Sequence, residues 1–359
     1  MVLLLIWIDI LTPKQFYFMG ELSKRLEAKG HNVFRTTRQY REVSELIRLH
    51  GVDALSVGKH GGASLEGKLA ASGKRIEELS HIISRLKPDL SIACASPEAA
   101  RTAFGLAIPH YTINDSPHST AVAHLTIPLS SKLFSPSIIL KKIWMRLGAS
   151  KDMIIQYNAI DPIVWLRSFI PNPTVLYDLR LDESKPIVVF RAEEVFASYL
   201  LGHVSDKEST IIPIINKLME EYDESLQIVA LPRYTEQVSI IRGVFHNRII
   251  VPKNVVDGPS LLFFSSVFIG AGGTMTAEAA MLGVPTISCY PIESTLVEKY
   301  LINKKLVFRV TDPKKVTKKI IEIIKDFETI HKMQLERAKL FISEMEDPIE
   351  VIMNVIERH

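Results

Sequence analysis

The chain has almost no cysteine. Cys94 and Cys289 are the only two, far apart and inside apolar runs. That excludes a disulfide framework and a cysteine-based zinc site, and a reducing cytoplasm is the expected setting. An excess of charge of either sign is also missing: 43 Lys and Arg against 40 Asp and Glu leave a formal +3, which makes no electrostatic case for nucleic acid as a partner. No apolar run approaches the ~18 residues that span a bilayer. The opening MVLLLIWIDIL lacks a basic flank and carries Asp9, so it reads as a core strand, not a signal peptide. The 11 histidines show no metal-ligand spacing, and no metal or resident cofactor is expected.

What is present is apolar and regular. Hydrophobic residues make up 47% of 359 positions, which suits parallel sheets buried on both faces, and the length asks for two domains. Apolar strands such as VLLLIWIDI, NVFRTTR and DLSIACAS alternate with segments of helical period that end in glycine. This rhythm predicts right-handed βαβ units. The same rhythm resumes after IPNPTVLYDLRLDESKP, which has no clear period. The expected fold is therefore α/β: two facing Rossmann-like, doubly wound domains with ligands in the cleft at the strand ends. The expected boundaries are 1–168, a linker at 169–186, 187–330, and C-terminal helices at 331–359 that pack back on the first domain.

The strongest motif is SSVFIGAGGTMTAEAAMLGVPTIS. An apolar strand runs into Gly270, Gly272 and Gly273, and a helix of small residues opens at Thr274. Glycines let the backbone approach a ligand, and the free amides at a helix start suit a diphosphate. Gly272, Gly273, Thr274 and Met275 form the candidate cradle. Glu278 lies one turn on and could accept from a ribose diol; its four-residue spacing from Thr274 is not that of a capping box. A plain turn with an exposed glutamate accounts for the same letters. The Gly-x-Gly-x-x-Gly dinucleotide fingerprint is absent.

This segment resembles the donor-binding motif of GT-B proteins, in particular UDP-N-acetylglucosamine 2-epimerases and the transferase that adds N-acetylglucosamine to the lipid-linked peptidoglycan precursor. The resemblance implies that Glu278 binds the ribose of a UDP-sugar and that Gly272, Gly273 and Thr274 bind the diphosphate. IIQYNAIDPIVWL resembles the segment closing the epimerase N-terminal domain. VVFRAEEVF resembles the one opening the C-terminal domain, with Arg191 and Glu194 in matching places. The whole chain most resembles a largely archaeal family of unknown function with a GT-B-like layout, which implies an α/β, GT-B-like fold of two facing Rossmann-like domains. It departs from the epimerases where they carry acids: Ala95-Ser96-Pro97-Glu98 replaces a Gly-Asp-Thr, Phe190 replaces a histidine, and Asn114-Asp115-Ser116 replaces a glutamate-bearing strand end. Two groups expected to manage proton transfer and elimination are thus missing or shifted.

Other candidates follow from position. Asp115 and His118, in NDSPHS after a strand, are the first and second choices for a base that deprotonates an acceptor hydroxyl; an Asx turn explains Asp115 equally. Asp9 ends the first strand as a third candidate or as an N-cap. Arg191 and Arg233 each follow a strand, where they could clamp a diphosphate or form surface ion pairs. Asn158 and Asp161 fall at the domain junction. Gly62-x-x-x-x-Gly67-Lys68-Leu69 nearly spells a P-loop, but Leu69 replaces the magnesium-binding hydroxyl. The basic, apolar stretch LFSPSIILKKIWMRLG is a candidate for peripheral membrane contact or a lipid-linked acceptor, or else a core helix with a basic outer face. Epimerase-like ancestry makes a homodimer the candidate assembly. The first reading is a glycosyltransferase that takes a UDP-sugar donor. The alternatives are a nucleotide-sugar 2-epimerase and a non-catalytic nucleotide-sugar-binding protein.

Overall fold

The computed structural model describes residues 2–62, 64–193, 209–222, 225–290 and 292–358. It divides into two compact units, residues 1–165 with 346–359 and residues 166–345.

Unit 1 is built on seven parallel strands: β1 (Leu5–Ile10), β2 (Asn32–Gln39), β3 (Leu55–Lys59), β4 (Leu90–Ala93), β5 (His110–Ile113), β6 (Lys132–Pro136) and β7 (Ile154–Tyr157). Their order is β3-β2-β1-β4-β5-β6-β7. The order reverses between β1 and β4, so crossovers leave the sheet in both directions there, the place where open parallel sheets take ligands at their strand ends. Ile6, Trp7, Ile8, Leu90 and Ile92 are buried because helices cover both faces. Helix Pro13–Ala28 follows β1; Thr12 caps it by accepting from the Gln15 amide, and Pro13 opens it.

Unit 2 carries β8 (Ile187–Arg191), β9 (Gln227–Leu231), β10 (Val267–Gly270), β11 (Thr286–Ser288) and β12 (Val307–Arg309), in the order β12-β11-β10-β8-β9. All its pairs are parallel, and its reversal point lies between β8 and β10. Val188, Phe190, Ile269 and Ile287 pack into one core layer, and Val189, Val229, Phe268 and Leu261 into the other.

The segments around the unit boundaries are more structured than their composition implies. Within the proline-broken stretch 169–186, helix Thr174–Leu179 places Val175 and Leu176 in the core of unit 2. The Asn172 amide donates to Ser260 Oγ. The tail is shared out: helix Phe327–Ser343 belongs to unit 2, and helix Pro348–Ile356 packs on helix Pro13–Ala28 in unit 1. There Arg25 grips Asp347 (2.7 Å) and Glu350 (3.0 Å). In the basic, apolar stretch LFSPSIILKKIWMRLG, Ile139 and Trp144 are fully buried, while Leu140 and Met145 are exposed. Among the described residues no helix is long and apolar enough to cross a membrane.

Candidate functional site

In unit 2 the glycine-rich turn sits at the reversal point. Gly270 pairs with Arg191 across β10 and β8, and the Ala271 amide donates to the Arg191 carbonyl at 3.3 Å. Packing dictates each glycine. A Cβ on Gly270 would lie 2.4 Å from Thr276 Oγ1, and one on Gly272 would lie 2.8 Å from the Tyr290 ring. Gly272 and Gly273 hold φ of 84° and 93°, in the region that side chains disfavour. Gly273 is also the N-cap of helix Thr274–Met281, and as a glycine it offers that first turn no capping side chain. Helices Pro13–Ala28, Leu65–Leu86 and Pro97–Gly105 are each capped by a serine or threonine. The positive end of Thr274–Met281 is thus left to the backbone.

Two arginines border the turn. A Cβ on Gly273 would be 3.2 Å from Arg233 Nη2. Arg233 is fixed there: its Nε donates to the Ala192 carbonyl (3.1 Å) and its amide to Gln237 Oε1 (2.8 Å). Gln237 in turn donates to the Glu193 carbonyl. Arg191 directs Nη1 toward the Leu231 and Pro232 carbonyls at the end of β9. Thr274 is half-buried, whereas Glu278 is buried. Glu278 is therefore not exposed on its helix. Met275 packs into the unit's core, its methyl 3.8 Å from a Cβ position on Gly258. Arg309 ties the neighbouring loop by donating to the Tyr290 and Ile292 carbonyls. Glu194, matched to the epimerase segment, lies outside the described residues.

In unit 1 the candidates separate into two groups. Asp9 is fully buried at the end of β1 and takes a bidentate grip from Arg75 (2.6 and 3.0 Å). It also accepts from Thr36 (2.6 Å) and Ser96 (2.7 Å). Burial pulls its carboxyl upward, but Arg75 and these donors outweigh it and hold the pKa below the ordinary value. A carboxylate so occupied positions β1, β2 and the helix start at Ser96; it has no lone pair left to accept a substrate proton. Ser96 has its own task as the cap of helix Pro97–Gly105.

Asp115 differs. It is part-exposed and bound by Lys14 at 2.5 Å, and the same ammonium reaches Asp161 at 2.6 Å. Burial pulls the Asp115 carboxyl upward, yet the Lys14 charge wins and holds it below the usual range. Asp161 is buried, and burial prevails: its pKa is raised. The Tyr157 hydroxyl donates to Asp161 at 2.6 Å. Two carboxylates around one cation are thereby pushed apart, an arrangement from which acid–base roles arise. The ends of β1, β4, β5 and β7 supply this group, with Cys94 close enough to feel its charges. His118 is exposed and near enough to Asp115 to sense it. Asn114 is buried and accepts from the Ser116 amide, which gives the loop its Asx turn.

The sequence reading missed Lys14 and Arg75 altogether and placed Asp161 at a junction. One signal was available. Lys14 stands in the first turn of a helix, where a cation opposes the macrodipole, so its presence needed a compensating anion.

Solved structures share this architecture end to end. The UDP-N-acetylglucosamine 2-epimerase of Neisseria meningitidis, solved bound to UDP-N-acetylglucosamine, superposes with a TM-score of 0.74 at 15% identity, over 99% of this chain and 100% of that one. The Methanocaldococcus jannaschii UDP-N-acetylglucosamine 2-epimerase, solved with UDP-N-acetylglucosamine and UDP, gives 0.72 at 16% identity over 99% and 100%. The fold is therefore GT-B-like, as in these epimerases. In sequence the chain is 33% identical to the uncharacterized protein MJ0665 of the same archaeon across 353 residues, 97% of this chain and 96% of that protein. Residues 4–358 match the model of one family, and the chain belongs to it: the family described as "Protein of unknown function (DUF354)".

Proposed function

We propose that the protein is a glycosyltransferase that binds a UDP-sugar on the Gly272-Gly273-Thr274 turn and passes the sugar to an acceptor hydroxyl. The observation that carries the nucleotide part is the glycine-capped start of helix Thr274–Met281, placed at the β8/β10 reversal with Arg233 beside it. Backbone amides and a helix dipole suit a diphosphate. Arg191 and Arg233 add charge that offsets the departing UDP. Neighbours of this fold solved with UDP-N-acetylglucosamine support the same ligand class. Glu278 is assigned to the ribose.

The transferase part rests on Asp115. Lys14 keeps it ionised, and it is the part-exposed member of the carboxylate pair. A transferase needs one base, which takes the acceptor proton as the hydroxyl attacks. Where the resemblance to epimerases expects acids, the chain reads Ala95-Ser96-Pro97-Glu98 and Asn114-Asp115-Ser116, with Ser96 spent on Asp9 and a helix cap and Asn114 on an Asx turn. The end-to-end likeness to epimerases favours a second reading, 2-epimerisation by elimination and re-addition.

Incubation with UDP-N-acetylglucosamine and candidate acceptors separates the two. UDP release that requires an acceptor supports transfer. Conversion of the sugar to its 2-epimer without acceptor replaces the first reading by the second. Tight binding with neither reaction leaves only the nucleotide assignment.

A further inference from the structure

Residues 116–151 contain no aspartate or glutamate, in a chain whose charges otherwise nearly balance, and they carry Lys132, Lys141, Lys142, Arg146 and Lys151. The fold gathers these cations at one edge of the seven-stranded sheet, on β6 and the segments that lead into β7. Helix Lys141–Arg146 joins the two strands and is held from within. Trp144 is fully buried, and its Nε1 donates to Ser135 Oγ at 2.7 Å. Lys141 Nζ donates to the Ile154 carbonyl at 3.2 Å, and Gln156 Nε2 to the Ile139 carbonyl at 2.6 Å. With Ile139 and Trp144 turned inward, Leu140 is left 54% exposed and Met145 47%. Lys142 and Arg146 are exposed one turn apart and share a helix face. Strand register brings Lys132 and Lys151 to the same end of the sheet. Leu133, next to Lys132, pairs with Ile154, which follows the turn Lys151–Met153. The C-terminal end of the helix reaches that place too: a Cβ on Gly148 would lie 2.7 Å from Pro128, in the turn Ile127–Leu129 before β6.

These cations are not spent on the protein's own acids. Elsewhere surface lysines meet carboxylates, as Lys29 meets Glu357 and Lys319 meets Glu322. Among the described residues Lys132, Lys142, Arg146 and Lys151 form no ion pair. Composition then selects the partner. Protein interfaces are poor in lysine and rely on aromatic anchors, and single-stranded nucleic acid stacks on exposed rings. Here lysines predominate, and the helix's one aromatic side chain, Trp144, is buried. Exposed aliphatic side chains set among unpaired cations match a fluid anionic surface, which needs no fixed partner geometry.

We propose that the β6–β7 edge of unit 1 docks on an anionic lipid bilayer. Leu140 and Met145 enter the headgroup layer, and Lys132, Lys142, Arg146 and Lys151 face the lipid phosphates. The contact is peripheral, since among the described residues no helix is long and apolar enough to cross a membrane. It does not rest on the UDP-sugar reading: none of these residues belongs to the nucleotide turn or to the Asp115 group.

The test is co-sedimentation of the full chain with vesicles, either pure phosphatidylcholine or a mixture with phosphatidylglycerol. The protein should pellet with the anionic vesicles and stay in solution with the neutral ones. Raising sodium chloride from about 0.1 M to about 0.5 M should release it, because the Debye length shortens. Lys142→Glu combined with Arg146→Glu should weaken binding by about tenfold or more. Leu140→Ser combined with Met145→Ser should weaken it several-fold while the salt dependence persists. All four side chains are exposed, so both variants should keep the parent's melting curve. Gly273→Val should bind vesicles as the parent does, which separates this surface from the nucleotide site. Equal binding to neutral and anionic vesicles, or none to either, overturns the proposal. So does unchanged affinity in the charge-reversed variant. Binding to heparin as tight as to the vesicles, with no effect of the serine substitutions on vesicle binding, replaces the membrane by a non-specific polyanion.

Discussion

At the scale of single residues, Gly273 has the most specific requirement. Its φ of 93° and the 3.2 Å approach of Arg233 leave no easy place for a methyl group. Gly273→Ala should lower UDP affinity by about tenfold or more, roughly 1.4 kcal/mol, without loss of the fold, as read by calorimetry and circular dichroism. Asp115→Asn should cut kcat by about a hundredfold or more, the usual size of a general-base contribution, with UDP affinity unchanged. A kcat within twofold of the parent would remove Asp115 from the chemistry. These residues were legible for different reasons. Gly272, Gly273 and Thr274 announce themselves because only glycine tolerates such a turn. Asp9 and Asp115 look alike in sequence, both acidic at a strand end. Only the partners separate them, Arg75 from 66 positions away and Lys14 from helix Pro13–Ala28, far earlier in the chain, and no local pattern specifies those encounters.

At the scale of elements, β1 and β5 carry buried polar groups that make stability depend on pH. Removing one partner of the Asp9–Arg75 pair leaves an uncompensated charge in the sheet, so Asp9→Ala should cost about 3–5 kcal/mol in urea unfolding. His110, on β5, is buried with Nδ1 3.0 Å from Ser91 Oγ. Burial lowers its pKa to about 4, against a small opposing pull from Asp9. As pH falls, the unfolded chain therefore binds a proton first, near its ordinary pKa of about 6.5. Stability from the neutral ring is complete above that value and drains away toward pH 4, by about 3 kcal/mol. Asp9, whose folded pKa is depressed, adds a second loss at still lower pH. Urea midpoints at pH 7 and 4.5 check this: His110→Gln should flatten the difference, and a parent equally stable at both values would contradict it. The strands and most helices were readable from apolar period and glycine stops. Helix Thr174–Leu179 was not. Proline interrupts the period around it, and its Val175–Leu176 pair acquires meaning only from the core it meets.

At the scale of the whole molecule, two parallel sheets with reversal points at β1/β4 and β8/β10 fix where chemistry can gather, since strand order decides which ends diverge. That architecture was legible because strand and helix alternate twice along the chain. The assignment of the last helix to unit 1 was less so: Arg25 meets Asp347 and Glu350 across more than 300 positions. Ligand binding should be visible globally, because a ligand that binds only the folded state adds about 2.7 kcal/mol at a hundredfold excess over Kd. The most direct measurement is calorimetric titration of UDP into the parent chain and into Gly273→Val, with matched melting curves. The account predicts saturable one-to-one binding to the parent and at least a tenfold loss in a variant that still folds. Equal affinity in both, or no binding to the parent, would contradict it.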